Sequence, residues 1–178
     1  RFDFLVIGGG VAGLFFALKA ARHGSVAILT KHGRDEGATN YAQGGIAAVL
    51  SSDDSFESHL EDTLTAGAGL CRREAVEVCV REGPERIREL IELGVRFTTK
   101  VGGGELDLTR EGGHSRRRVV HAADLTGREV QRALLAACDA TPNIAFFPYS
   151  MAVDLITERK LGRDSDRCIG AYVLRQDG

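Results

Sequence analysis

Apolar residues along the amino-terminal stretch fall into short runs whose period changes twice. Asp3-Phe4-Leu5-Val6-Ile7 is short and ends in β-branched residues, which reads as a buried strand. Leu14, Phe15, Ala17, Leu18, Ala20 and Ala21 then recur at helical spacing, with Gly24 placed to end the helix. Ser25-Val26-Ala27-Ile28-Leu29-Thr30 returns to a strand pattern. Between the first strand and the helix lies Gly8-Gly9-Gly10-Val11-Ala12-Gly13, a G-x-G-x-x-G turn. Strand, glycine turn, helix and strand together are the βαβ unit that holds a dinucleotide.

Each glycine has a physical task in such a turn. Gly8 permits the sharp exit from the strand, Gly10 lets backbone approach a pyrophosphate, and Gly13 lets the helix lie close to the sheet. Free N–H groups at Val11 and Ala12 are expected to face the phosphates at the positive end of the helix dipole. One position departs from the usual pattern. An acidic residue is expected about twenty positions on, to accept the ribose hydroxyls; Thr30 and Lys31 stand there instead. Lysine accepts no hydrogen bond but pairs with phosphate. That leaves two options: a 2′-phosphorylated nicotinamide cofactor, or a flavin dinucleotide held differently.

Farther along, His32 to Gly45 is a glycine-rich polar loop, either a binding loop or a flexible surface segment. Ile46 to Leu50 is strand-like. Ser51 to Gly69 reads as a helix capped by Asp53 or Asp54, with His59 among acids and solvated. Arg73 to Val80 and Pro84 to Leu93 read as two amphipathic helices, Pro84 opening the second and Gly94 closing it. These helices are expected outside the sheet. Val95 to Thr99 is a strand candidate, as is Val119 to Ala122. Thr126 can cap a helix over Gly127 to Ala140, with Val130, Leu134, Leu135 and Cys138 inward. Asn143 to Pro148, Ala152 to Thr157 and Cys168 to Leu174 read as strands, with a charged turn at Arg159 to Arg167. The fold class expected is α/β: a parallel Rossmann-like sheet, flanking helices and a small antiparallel hairpin.

Composition narrows the partners. The 178 residues suit one domain spanning the chain, or one domain and a fragment, and 43% apolar with 27% charged content is ordinary for a globular protein. A net charge of -2 argues against nucleic acid. No apolar run reaches the roughly 18 residues of a membrane span, and Asp3 with the glycines interrupts any signal-peptide core. Cys71, Cys79, Cys138 and Cys168 show no C-x-x-C and no metal-like spacing, so they read as free, mostly buried thiols in a reducing cytoplasm. Arg1 and Gly178 both look like cut ends.

The most chemically loaded stretch is Leu108 to Arg118, where Glu111, His114 and three arginines lie around Gly112-Gly113. It can be an anion-recognition loop; the plainer reading is a solvated charged loop. His114 and His121 flank an arginine run, a poor metal arrangement, and there is no G-x-S-x-G elbow.

Several strings together resemble a known family. Gly8 to Gly13, Leu29-Thr30-Lys31 and Thr39-Asn40-Tyr41-Ala42-Gln43-Gly44-Gly45-Ile46-Ala47-Ala48-Val49 resemble the flavoproteins of succinate dehydrogenase and fumarate reductase. Within that family, Asp62-Thr63-Leu64, Ala66-Gly67-Ala68-Gly69-Leu70-Cys71, Thr109-Arg110-Glu111-Gly112-Gly113-His114-Ser115 and His121 to Glu129 resemble the L-aspartate oxidase branch. The resemblance covers the amino-terminal, FAD-binding portion of such enzymes.

It implies FAD. Gly9, Gly10, Val11 and Ala12 would cradle the pyrophosphate, Lys31 would lie by the adenosine ribose, and the Met151-Ala152 backbone would flank the adenine. Ala38, Thr39, Asn40, Tyr41, Ala42, Gln43, Gly44 and Gly45 would line the flavin and its ribityl chain. Dehydrogenase and reductase relatives carry a flavin-linked histidine at the position of Ala38; alanine makes no such bond, so FAD is expected to be non-covalent. The substrate would be L-aspartate, with oxygen or fumarate as acceptor. The product would enter quinolinate and NAD biosynthesis, with quinolinate synthase as a partner. Glu111 and His114 would bind substrate, while a catalytic arginine and carboxylate-clamping histidines are expected in a capping domain beyond Gly178. Glu111 separates the branches by charge. Two unit charges about 4 Å apart interact by roughly 4 kcal/mol at an effective dielectric near 20. A carboxylate there repels succinate but attracts the ammonium of aspartate.

Overall fold

The computed structural model describes residues 1–123 and 125–176; Asp124, within the His121 to Glu129 string, and Asp177 and Gly178 lie outside the described residues. In chain order the elements are β1 (Phe4–Ile7), α1 (Val11–Ala20), β2 (Val26–Leu29), α2 (Ala38–Tyr41), β3 (Ile46–Ala47), α3 (Phe56–Ala66), α4 (Arg73–Glu92), β4 (Leu108–Thr109), β5 (Val119–Val120), α5 (Thr126–Asp139), β6 (Ile144–Phe147), β7 (Ser150–Thr157) and β8 (Cys168–Arg175). A short 3-10 turn, Arg159–Leu161, falls in the expected charged turn. The chain divides into two compact units, Arg1–Asn40 with Leu134–Gly178, and Tyr41–Ala133.

The first unit contains the parallel sheet β1-β2-β6, in register from Phe4↔Val26 and Val26↔Ile144. All four residues of the central strand β2 are buried, as a parallel strand covered on both faces requires. Leu14, Ala17 and Ala20 of α1 and Leu134, Leu135 and Cys138 of α5 complete this core. β7 and β8 form the expected antiparallel hairpin, from Ser150↔Arg175 to Thr157↔Cys168.

The second unit contains a small antiparallel sheet, β3-β5-β4, with α3 and α4. Four expectations fail here. Ser55, not Asp53 or Asp54, caps α3: its Oγ accepts from Ser58 N at 3.1 Å, while Asp54 turns to a buried arginine. The two helices around Pro84 are one, α4, because buried Pro84 packs in mid-helix and burial outweighs the lost backbone bond. Val95 to Thr99 forms no strand. Val95 and Phe97 are buried, yet the segment is held by a bridge at Thr99↔Leu106 and a bond from Thr98 N to His121 O at 2.7 Å, without the regular ladder of a strand; the strand in this region is β4, two residues long and too short to show a period. His59 is buried at 6% exposure, not solvated, since it lies on the Leu60 side of α3. The thiols also differ from expectation: only Cys138 is buried, while Cys79 and Cys168 are exposed. No helix among the described residues is long and apolar enough to cross a membrane.

Candidate functional site

In the first unit the chain leaves β1 through Gly8 at φ +108, with Gly8 N donating to Leu29 O at 2.9 Å. A Cβ on Gly13 would stand 2.1 Å from Gly8 O, so only glycine lets α1 lie against the turn. The cap residue of α1, Gly10, offers no side-chain acceptor, and no acidic residue occupies the first turn. Thr39 supplies that acceptor from α2: Val11 N donates to Thr39 Oγ1 at 3.0 Å. The amide of Val11 is therefore not bare, contrary to the sequence expectation. Its partner lies 28 residues away and carries no local signal.

A cleft of about 440 Å³ opens over this turn. Gly8, Gly9, Gly10, Lys31, Ala38, Thr39, Met151 and Ala152 line it, so Gly9 and Gly10 of the pyrophosphate set are brought together with the adenosine set, while Val11 and Ala12 do not line it. Glu36 also lines it, a carboxylate that stands in the loop after the second strand and not at the strand end where the motif expects one. Cβ atoms on Gly9 and Gly10 would fall 2.8 Å from Thr30 Cγ2 and 3.3 Å from Thr39 Oγ1. A glycine-only wall at a helix start, with a lysine beside it, fits a pyrophosphate.

In the second unit a cleft of about 540 Å³ is lined by Gln43, Gly44, Thr109, Glu111, His121 and Ala123. Gly45 passes under β5, where a Cβ would meet Val120 O at 2.2 Å, and Ala42 O accepts from Gly127 N at 3.0 Å. These contacts fix the Ala42 to Gly45 backbone. Tyr41 is 62% exposed, and Asn40 N donates to Gly37 O at 3.0 Å. A Cβ on Gly44 would lie 3.5 Å from Glu111 Oε2, which places the carboxylate against the glycine backbone. His121 Nε2 is 3.4 Å from Asp107 Oδ2; sequence reasoning weighed this histidine only as a metal ligand. His114 does not line the cleft. Its ring lies edge-on to His59, centroids 5.7 Å apart, and the Nδ1 atoms of both are buried without hydrogen-bond partners among the described residues.

The arginine run also divides. Arg116 and Arg117 are exposed, but Arg118 is fully buried. Its Nε and Nη2 pair with Asp54 at 2.8 and 2.7 Å, and its Nη1 with Asp62 at 2.7 Å. Burial alone would raise the Asp62 carboxyl; hydrogen bonds from Ser115 and the charge of Arg118 outweigh it and hold the group down at about 2. Burial, with Arg118 and His114 nearby, pushes His59 below its ordinary value.

A parallel sheet whose first strand empties into a glycine turn at a helix start defines a dinucleotide-binding domain of the Rossmann type. The chain belongs to the FAD binding domain family, whose model matches residues 3–178, and FAD is its cofactor. It is 58% identical to tobacco (Nicotiana tabacum) L-aspartate oxidase 2-b, chloroplastic, over 88% of this chain and 24% of that protein. It is 52% identical to the L-aspartate oxidase of Pseudomonas aeruginosa, over 98% of this chain and 34% of that protein. The chain thus spans about a quarter to a third of the length of these curated relatives. Among solved structures it matches a variant of E. coli quinol fumarate reductase FrdA, with a TM-score of 0.86 and 28% identity over 97% of this chain and 29% of that one.

Proposed function

We propose that this chain is the FAD-binding part of an L-aspartate oxidase, acting in the cytoplasm. The observation that carries the reading is the Glu111 carboxylate against Gly44, in the cleft it shares with Gln43, Thr109 and His121. A carboxylate there attracts the α-ammonium of L-aspartate and repels a dicarboxylate that lacks one. Identity of 52–58% to L-aspartate oxidases, against 28% to a fumarate reductase, supports the same choice. FAD supplies the two-electron oxidation of L-aspartate to iminoaspartate, and oxygen or fumarate takes the electrons onward, leaving peroxide or succinate.

This chain's residues bind and orient. The glycine turn and Lys31 would hold the diphosphate and adenosine, Met151 and Ala152 would flank the adenine, and Gln43 and Gly44 would line the flavin. Ala38 leaves the FAD non-covalent, and His114 supports Glu111 from the same loop. The carboxylate clamps and the catalytic arginine belong to a capping domain outside these residues, and the iminoaspartate passes to quinolinate synthase for NAD biosynthesis. The test is turnover by the full-length protein. Peroxide from L-aspartate, with a flavin band at about 450 nm released on denaturation, is the expected result. Preferential turnover of succinate would assign the chain to the dehydrogenase branch, and a colourless protein would make it a nucleotide-binding module only.

A further inference from the structure

The loop between β4 and β5, residues 110–118, has nothing apolar to hold Glu111, which is exposed and followed by Gly112 and by Gly113 at φ +83. Its hydrogen-bonded anchors to α3 lie at the other end. Ser115 donates twice to Asp62 Oδ2, from N at 2.7 Å and from Oγ at 2.8 Å. Arg118 Nη1 reaches the same oxygen at 2.7 Å. Ser58 Oγ ties the group together, 3.0 Å from Arg118 Nη2 and 3.1 Å from Ser115 Oγ. Back along the loop, His114 N donates to Glu111 O at 3.2 Å, so the Glu111 backbone is one turn from the clamp.

Resting on the functional reading above, we propose that Asp62 is a positioning residue: through Ser115 it sets where Glu111 stands, and so the preference for a substrate that bears an ammonium group. Asp54 holds Arg118 from one side only, whereas Asp62 takes a loop amide, a loop hydroxyl and the guanidinium on one oxygen. Replacing Asp62 by asparagine removes that charge and leaves one neutral amide oxygen for three donors, while Arg118 keeps its two-point pairing with Asp54, so the loop end is expected to loosen with the fold retained. His59 touches the same loop through the His114 ring, but without a hydrogen bond.

The test uses the full-length, FAD-loaded protein with D62N, S115A and E111Q. D62N is expected to raise KM for L-aspartate about tenfold with kcat within about twofold, and S115A to raise it about threefold. Binding of succinate, which has no ammonium, is expected to change less than about threefold. In the E111Q background D62N is expected to add no more than about twofold, because it acts through Glu111. A D62N enzyme that loses kcat and succinate binding in proportion, or shows its full effect without Glu111, would overturn the proposal. Amide hydrogen exchange over residues 110–118 reads the clamp independently of turnover: about tenfold faster exchange in D62N is expected, and unchanged exchange would refute it. A wild-type enzyme that leaves L-aspartate untouched would defeat the functional reading instead, and the exchange experiment would still decide the clamp.

Discussion

The cleft of the first unit and the cleft of the second are built from different materials. Over the glycine turn the walls are main chain, and the governing contacts are steric: a helix laid on a strand exit, with 2.1 Å between Gly8 O and any Cβ at Gly13. Around Glu111 one wall is again main chain, at Gly44, but the loop that carries the carboxylate is tied by side-chain charge, with Arg118 buried between Asp54 and Asp62 at a distance of 56 to 64 residues along the chain. A site made of backbone tolerates changes in charge and fails on added volume. A site made of ion pairs does the reverse.

The largest effect that separates them is expected from R118A. It leaves Asp54 and Asp62 facing each other without their cation, a loss of about 3–5 kcal/mol, read from urea unfolding. A loss below about 1 kcal/mol would mean that the cluster is not what holds the loop. G13A is next, at about 3 kcal/mol from overpacking; here the decisive reading is the flavin-to-protein ratio, expected to collapse. R118K keeps the charge and should fall between wild type and R118A.

Acid should act on the second unit first. The carboxyl of Asp62, held at about 2 in the fold, has an ordinary value of 3.8. A depressed folded value stabilises above the ordinary one, and that stability is lost as pH falls from about 4 to about 2. The amount is about 1–2 kcal/mol after allowance for partial exposure. His59 adds in the same direction at higher pH, because a histidine held neutral by burial loses stability as pH drops through and below its ordinary 6.5. Thermal melts of wild type, D62N and H59Q against pH would show each slope flatten; unchanged slopes would assign acid sensitivity elsewhere.

Smaller still is the effect of E111Q, which should raise KM for L-aspartate about tenfold with little change in melting temperature. A stability loss comparable to that of R118A would erase the distinction between a substrate carboxylate and a structural one. Smallest is thiol labelling. Burial pushes the Cys138 thiol up to about 11, so iodoacetamide at neutral pH should modify exposed Cys79 and Cys168 first. Early labelling of Cys138 would show that the first core opens readily.

The difference also explains what could be read in advance. The β1–α1–β2 unit, the inward face of α5 and the β7–β8 hairpin were legible because their signals are local: apolar period, glycine spacing and turn residues. Glu111 was singled out by its motif, and the structure sets its carboxylate beside Gly44; its part in substrate choice is the proposal made above. His59, Arg118 and the cap Thr39 gives to α1 were not. A buried histidine among acids, or one buried arginine in a run of three, looks like solvated surface until its partners arrive from distant positions. The continuity of α4 through Pro84 was hidden for the same reason: local propensity says stop, and burial overrules it.

By itself, then, the order of residues determined the dinucleotide turn and the parallel strands around it, since steric limits on backbone act over a few neighbouring positions. Tertiary structure alone decided which charges are buried, which histidines lie side by side and what clamps the Glu111 loop. Desolvation and ion pairing depend on distance in space, and separation along the chain does not encode it.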